Sequence, residues 1–296
     1  AGGASVSENG AVRMNNAHPL INYCTIKNNS ASGIYAWNLS GTLKIKNNTI
    51  NNNTASNGGG ILTSGGTVTI SGNTISNNTA SSSGGGISSS STTVTISGNT
   101  ISNNTSSSGG GIYSYSDWYS QATISGNTIS NNTASSSGGG IYSSYGATIS
   151  GNTISNNTAS SSGGGIYFYS NWDSTGTISG NTISNNTASS SGGGIYSNGG
   201  TITKNSLTRN SAKNASAVYY SGGNDFTYNT IMGNKATDSS NTYTVYISSN
   251  PTFNYNNIFS NTATYELWND NGYGASNLDA KNNWWGTTDD SSVQGK

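Results

Sequence analysis

Residues 69–87 read TISGNTISNNTASSSGGGI. The same string returns at 123–141, 148–166 and 177–195, and one residue shorter at 95–112. A repeat of this length marks a solenoid, a propeller or an array, because one unit is too small to bury its own apolar side chains and must stack on its neighbours. Taking the second isoleucine of the string as an anchor, the unit is traced outward in both directions. The anchors are Ile26, Ile50, Ile75, Ile101, Ile129, Ile154, Ile183, Leu207, Ile231, Ile258 and Trp284, at intervals of 24 to 29 residues. That spacing predicts about eleven turns.

Within each unit the apolar positions are few and fixed. A first isoleucine (Ile70, Ile96, Ile124, Ile149, Ile178) precedes the anchor by five residues. A third (Ile61, Ile87, Ile112, Ile141, Ile166, Ile195) follows an anchor by 11 or 12, and the gap from there to the next unit varies from 7 to 12. Each isoleucine sits between polar residues, as in Thr74-Ile75-Ser76, which is the period-2 signature of a half-buried strand. No 3.6-residue periodicity competes with it. Three short strands per turn predict an all-β, three-sided parallel β-solenoid with rungs ~4.8 Å apart, a rod of roughly 50 Å.

Composition narrows the function classes. The 296 residues include 41 glycines, 47 asparagines and 18 tyrosines, but only ten acids, ten bases and one histidine, with no net charge. A neutral chain lacks the basic field that draws proteins to nucleic acid, and no apolar run approaches the ~20 residues of a membrane span. The aromatic content argues against disorder. One cysteine, Cys24, forms no internal disulfide and reads as a small buried residue. A chain that begins at Ala1 suits a secreted protein whose leader has been removed, or an excised fragment.

The corners carry asparagine. One lies three residues after the anchor, in a ladder that includes Asn53, Asn78, Asn104, Asn132, Asn157 and Asn186, and another lies two before it. Asparagine tolerates left-handed backbone, and stacked amides can donate to one turn and accept from the other. The alanine at anchor plus five marks a tight inward position, and the Gly-Gly-Gly run gives the backbone freedom that a side chain would remove.

These residues resemble a known group. GGGI paired with I-x-x-N-x-A is similar to the repeats of the polymorphic outer-membrane proteins, and Asn282-Asn283-Trp284-Trp285-Gly286 resembles an element common near the ends of β-helix surface proteins. The resemblance implies a right-handed parallel β-helix and no particular activity. No membrane-inserting barrel follows, so it does not extend to an autotransporter.

Catalytic chemistry is sparse. Between Lys46 and Lys204 there is no lysine, arginine, histidine or glutamate, and the acids there are Asp117 and Asp173, beside Trp118 and Trp172 in the variable loop. They stand two turns, roughly 10 Å, apart with no base. The single His18 reads as structural or solvated, the glycine runs lack the lysine of a phosphate loop, and Asp289-Asp290 reads as a solvated pair. No enzyme, metal or cofactor is expected.

Three outward features remain. Tyr113, Tyr142, Tyr167, Tyr196 and Tyr219, with Tyr35 and Trp268 outside them, follow the third-strand apolar residue and form an aromatic face, either stabilising the sheet or binding glycans or neighbouring rods. Thr69, Thr95, Thr123, Thr148 and Thr177 make a flat row that an ice-binding face would also need. Asn-x-Ser/Thr occurs ten times, with Asn52, Asn77, Asn103, Asn131, Asn156 and Asn185 in one line as possible glycosylation sites.

Charge is pushed to the ends. Residues 1–46 carry Arg13, Lys27, Lys44 and Lys46 against Glu8. Residues 225–290 carry Asp225, Asp238, Glu266, Asp270, Asp279, Asp289 and Asp290 against Lys235 and Lys281. The chain reads as one solenoid domain over 1–296: basic turns to 46, near-identical repeats over 47–203, and degenerate acidic turns from 204, with no obvious cap at either end. A positive head and a negative tail favour a head-to-tail homopolymer, since such a contact does not close on itself. The expected function is a secreted or cell-surface structural filament. The alternative is an adhesin or carbohydrate-binding segment of a larger surface protein, with an ice-binding protein or a polysaccharide lyase behind both.

Overall fold

Strands of two to six residues, with no helix, account for the regular structure of a computed structural model that describes residues 10–116, 120–170, 176–240, 242–270 and 278–286. The chain lays its strands into four parallel ladders, each strand pairing with its counterpart one turn on. The Gly-Gly-Gly-Ile segments form the longest, eleven strands from Gly10–Asn15 to Tyr265–Asn269. The first isoleucines form nine strands, from Leu20–Asn22 to Phe226–Thr227, and the anchors ten, from Thr25–Lys27 to Asn257–Phe259. These are the three strand positions read from the sequence. A fourth ladder of eight strands, from Thr54–Asn57 to Lys235–Ala236, runs along the Thr-Ala pairs.

Register keeps like on like. Ile75 pairs with Ile50 on one side and Ile101 on the other, and Ile96 sits between Ile70 and Ile124. All of these are fully buried, so the core is a set of isoleucine files running up the axis. Each residue buries against copies above and below, which makes a thin core sufficient. Toward the C-terminal turns rings join the core: Phe168 and Tyr220 fill positions that hold Ser143 and Ser197 in neighbouring turns, Phe226 follows Ile202, and Phe226 and the buried Phe253 stack at 4.9 Å.

The corners correct one expectation. Left-handed backbone falls not on the ladder asparagines but on the residue immediately before each of them. Gly72 (φ +65) precedes Asn73, and Asn77 (φ +56) precedes Asn78. In later turns Lys204, Arg209, Tyr228 and Tyr255 hold the same positions. The glycine triplet is dictated by close approach: a Cβ on Gly86 would lie 2.6 Å from the carbonyl oxygen of Gly111 one turn on.

The eleventh anchor is Trp285, not Trp284. Asn257 pairs with Trp284, and the Asn256 backbone N–H donates to Asn283 Oδ1, which brings Trp285 into line with Ile258. Trp285 packs on the core while Trp284 is exposed. With Leu278 and Ala280 it covers the C-terminal end of the apolar files, where the sequence shows no cap. Cys24 is exposed rather than buried, and its backbone N–H donates to Asn48 Oδ1 at 2.9 Å.

Candidate functional site: the stacked faces

The asparagines form two buried files. In one, from Asn29 to Asn261, Asn104 is representative: its Oδ1 accepts from the backbone N–H and the side-chain amide of Asn78 (2.9 and 3.1 Å). Its own Nδ2 donates to Asn132 Oδ1 and back to the Ile75 carbonyl, both at 3.0 Å. Asn53, Asn78, Asn132, Asn157 and Asn186 repeat the pattern. The second file runs from Asn48 to Asn283. Two donors and a doubly used acceptor are satisfied at the inner rungs, so these carboxamides are structural cement and offer nothing to a ligand.

The sequon asparagines stand beside them with the opposite exposure. Asn52, Asn77, Asn103, Asn131, Asn156 and Asn185 are all exposed, all left-handed (φ +55 to +58), and lie one rung apart in a single line. The threonine row is mixed: Thr95 and Thr148 are exposed, Thr69, Thr123 and Thr177 half-buried.

On the longest ladder Tyr113, Tyr142, Tyr167, Tyr196 and Tyr219 stack ring on ring at 4.5 to 4.9 Å, with interplanar angles of 18° or less. The column continues to Tyr246, 4.7 Å from Tyr219, a member that the sequence reading missed because Thr242-Tyr243-Thr244 stands in place of the glycine triplet and Val245 in place of the isoleucine. Trp268 is level with Tyr246 in register, but its ring stacks on Tyr243 instead. Tyr35 is separated from the column by Leu62 and Ser88. Face-to-face stacking consumes the ring faces, so the column presents phenol edges and hydroxyls. Burial, and then the neighbouring phenols, push Tyr142 up to about 12, and the same causes push Tyr196 up to about 12.

One pleat beyond Tyr196, Tyr219 and Tyr246, three short loops leave a shallow cavity of about 600 Å³. Asn198, Ser221, Ser248, Ser170 and the glycines around them line it, and among the described residues no charged side chain does.

The described charges are basic on the first turns and mixed on the last, where Lys204, Arg209, Lys213, Lys235 and Lys281 stand beside Asp225, Asp238, Glu266, Asp270 and Asp279. Arg13, Lys27, Lys44 and Lys46 are exposed on the first turns, and Arg13 lies over the Trp37 ring at 5.2 Å. At the other end Asp270 accepts from Tyr246 Oη, Lys213 pairs with Asp238 and Lys281 with Asp279, while Glu266 is buried and accepts from Asn261. His18 is exposed, its Nε2 3.1 Å from Ser40 Oγ. Asp117, Trp118, Trp172, Asp173, Asp289, Asp290 and Glu8 lie outside the described residues. Among the described residues no cluster of three metal-ligating side chains occurs.

No curated protein and no solved structure matches the chain. The sequence model described as "Right handed beta helix region" matches residues 3–154 and again 110–284, the span over which the ladders run. The chain therefore belongs to the right-handed β-helix family.

Proposed function

We propose that the protein is an extracellular or cell-surface structural rod, non-enzymatic, whose copies associate head to tail through oppositely charged ends. The family holds both pectate-lyase-like enzymes and proteins without activity, so the reading rests on the chain's own residues. The observation that carries it is the basic first turns: Lys27, Lys44 and Lys46 have no acidic partner among the described residues, and the exposed acids Asp225 and Asp270 lie among the mixed charges of the far end. The turns between them carry no lysine or arginine from 47 to 203, which denies trypsin-like proteases a site and suits an exposed rod. The line of exposed sequons and the likeness to outer-membrane repeat proteins support a secreted or surface setting. The contact is one between charged ends rather than a continued asparagine file, because Glu266 already occupies the last donor of one file.

Sedimentation and negative-stain microscopy of the purified chain at low and high salt test this. Long rods of one width that shorten as salt rises are expected, since charges more than ~10 Å apart are screened at 0.1 M salt. A monomer at high concentration in low salt overturns it.

The cavity beside the tyrosine column favours a second reading, a binding segment for a neutral oligosaccharide, whose hydroxyls match the hydroxyl, carboxamide and backbone groups that line it among the described residues. Retention of neutral glycans that disappears in Ser221→Trp, with the circular dichroism unchanged, would distinguish it.

A further inference from the structure

Six tyrosines from Tyr113 to Tyr246 form five consecutive stacked pairs, with centroids 4.5 to 4.9 Å apart and planes within 18°. Each ring is half-buried, and the four inner rings are held between two others and open at the edge, while Tyr113 and Tyr246 end the column. Stacking this close and this parallel keeps the ortho carbons of one phenol beside those of the next, and small rotations about the Cβ–Cγ bonds bring two of them together. The last rung differs from the rest: Tyr246 Oη donates to Asp270 Oδ2 at 2.6 Å. A phenol that loses an electron must also lose its proton, and here a carboxylate is in place to receive it. Rings in contact pass the electron deficiency along the column, so it settles where the proton can leave, at Tyr246.

We propose that the column is an oxidative cross-linking site, at which a one-electron oxidant (hydrogen peroxide acting through a peroxidase) joins stacked tyrosines by carbon–carbon bonds, foremost Tyr219 to Tyr246. Each of the two phenols gives up one electron and its phenolic proton, at Tyr246 to Asp270 and at Tyr219 to solvent. The two radicals couple ortho carbon to ortho carbon, and each ortho hydrogen then moves to its own oxygen, restoring both phenols. Two hydrogens leave per bond, and one hydrogen peroxide takes them up as two waters. The product is a covalent rung on the outside of the rod, tying adjacent turns that only hydrogen bonds and side-chain packing otherwise hold. The inference rests on the ring geometry and stands whether or not the rods polymerise.

The molecule supplies its own control. Tyr228 and Tyr255 stack at 4.9 Å and 7°, as parallel as the column, on another face, and among the described residues no acid accepts from either phenol. The full chain is treated with a peroxidase and hydrogen peroxide, dilute and in high salt so that chains stay apart. Dityrosine fluorescence, intact mass and chymotryptic mapping are then read. Intramolecular products that have lost two hydrogens per bond, with Tyr219 joined to Tyr246 ahead of Tyr228 to Tyr255, are expected. Asp270→Asn should slow that bond by on the order of tenfold, less than a fully engaged general base contributes because water also takes the proton. It should leave the Tyr228–Tyr255 yield and the circular dichroism unchanged. Bonds only between chains, equal yields at the two pairs, or an Asp270→Asn variant that couples at the original rate would each overturn the proposal.

Discussion

The side-chain amide of Asn261 donates to Glu266 Oε2 at 3.0 Å, and this contact ends a file of ten asparagines that begins at Asn29. Every earlier amide in the file donates to the Oδ1 of the next turn. Glu266, buried and only five residues further on, supplies the oxygen that a next asparagine would have brought. Glu266→Ala leaves a buried donor without that partner and should cost about 1–3 kcal/mol, while Glu266→Gln retains an acceptor and most of the stability. Hydrogen exchange would locate the loss in the last turns rather than along the rod.

Neighbouring asparagines should answer substitution in opposite ways. Asn104→Ala strands two donors of Asn78 and takes the carboxamide donor from the Ile75 carbonyl and from Asn132 Oδ1, which keeps only the backbone N–H of residue 104. With unmet buried groups costing ~1–3 kcal/mol each, the total should reach at least about 3 kcal/mol. Asn103 is exposed with φ +57, so Asn103→Gly should stay within about 0.5 kcal/mol, and Asn103→Ala should lose ~1–2 kcal/mol to the left-handed backbone alone. Urea unfolding midpoints compare the three.

Glycines divide the same way. Gly86→Ala drives a methyl into the Gly111 carbonyl and should prevent a folded rod. Gly98 has φ +62 and open space around it, and the matching corner of an earlier turn holds Asn47 at φ +53. Gly98→Asn should therefore fold with an unchanged circular dichroism spectrum and a melting temperature near that of the parent.

Alkali should loosen the tyrosine face. Tyr142 and Tyr196 are pushed from 10 to about 12 by burial and by their stacked neighbours, so the fold prefers the neutral phenol. A raised acid pKa leaves stability intact below the unfolded value and removes it as pH climbs toward the folded one. Stability should be flat to about pH 10 and fall between 10 and 12. Absorbance titration at the phenolate band should show these two ionising above the ordinary phenol range, and Tyr142→Phe should flatten part of the stability decline.

Much of this architecture is written in the repeat. Three isoleucines at fixed spacing locate the long ladders, because large apolar side chains must face the axis. The Thr-Ala ladder is harder to read: two residues with one small side chain give no periodic signal, and backbone pairing makes it. Left-handed φ is a backbone property shared by Gly72, Asn77 and Tyr228, so no residue type marks it. Trp284 and Trp285 show the limit at the end of the chain. Two identical residues side by side leave the register open, and a one-residue slip exchanges inside for outside. Tyr246 and Glu266 fall where the repeat has decayed, and only the stacked coordinates align them with Tyr219 and Asn261.

The unbroken register from Thr74 to Thr100 to Thr128 to Thr153 has a consequence for how this molecule can vary. Residues 129–153 begin and end at equivalent points of the repeat, so their removal joins Thr128 to Ile154 and leaves a legitimate turn, with both ends of the molecule as they were. Recombination between such near-identical coding units changes the length of the protein without inventing a new surface. The span of the rod is thus set by counting, in steps of one rung.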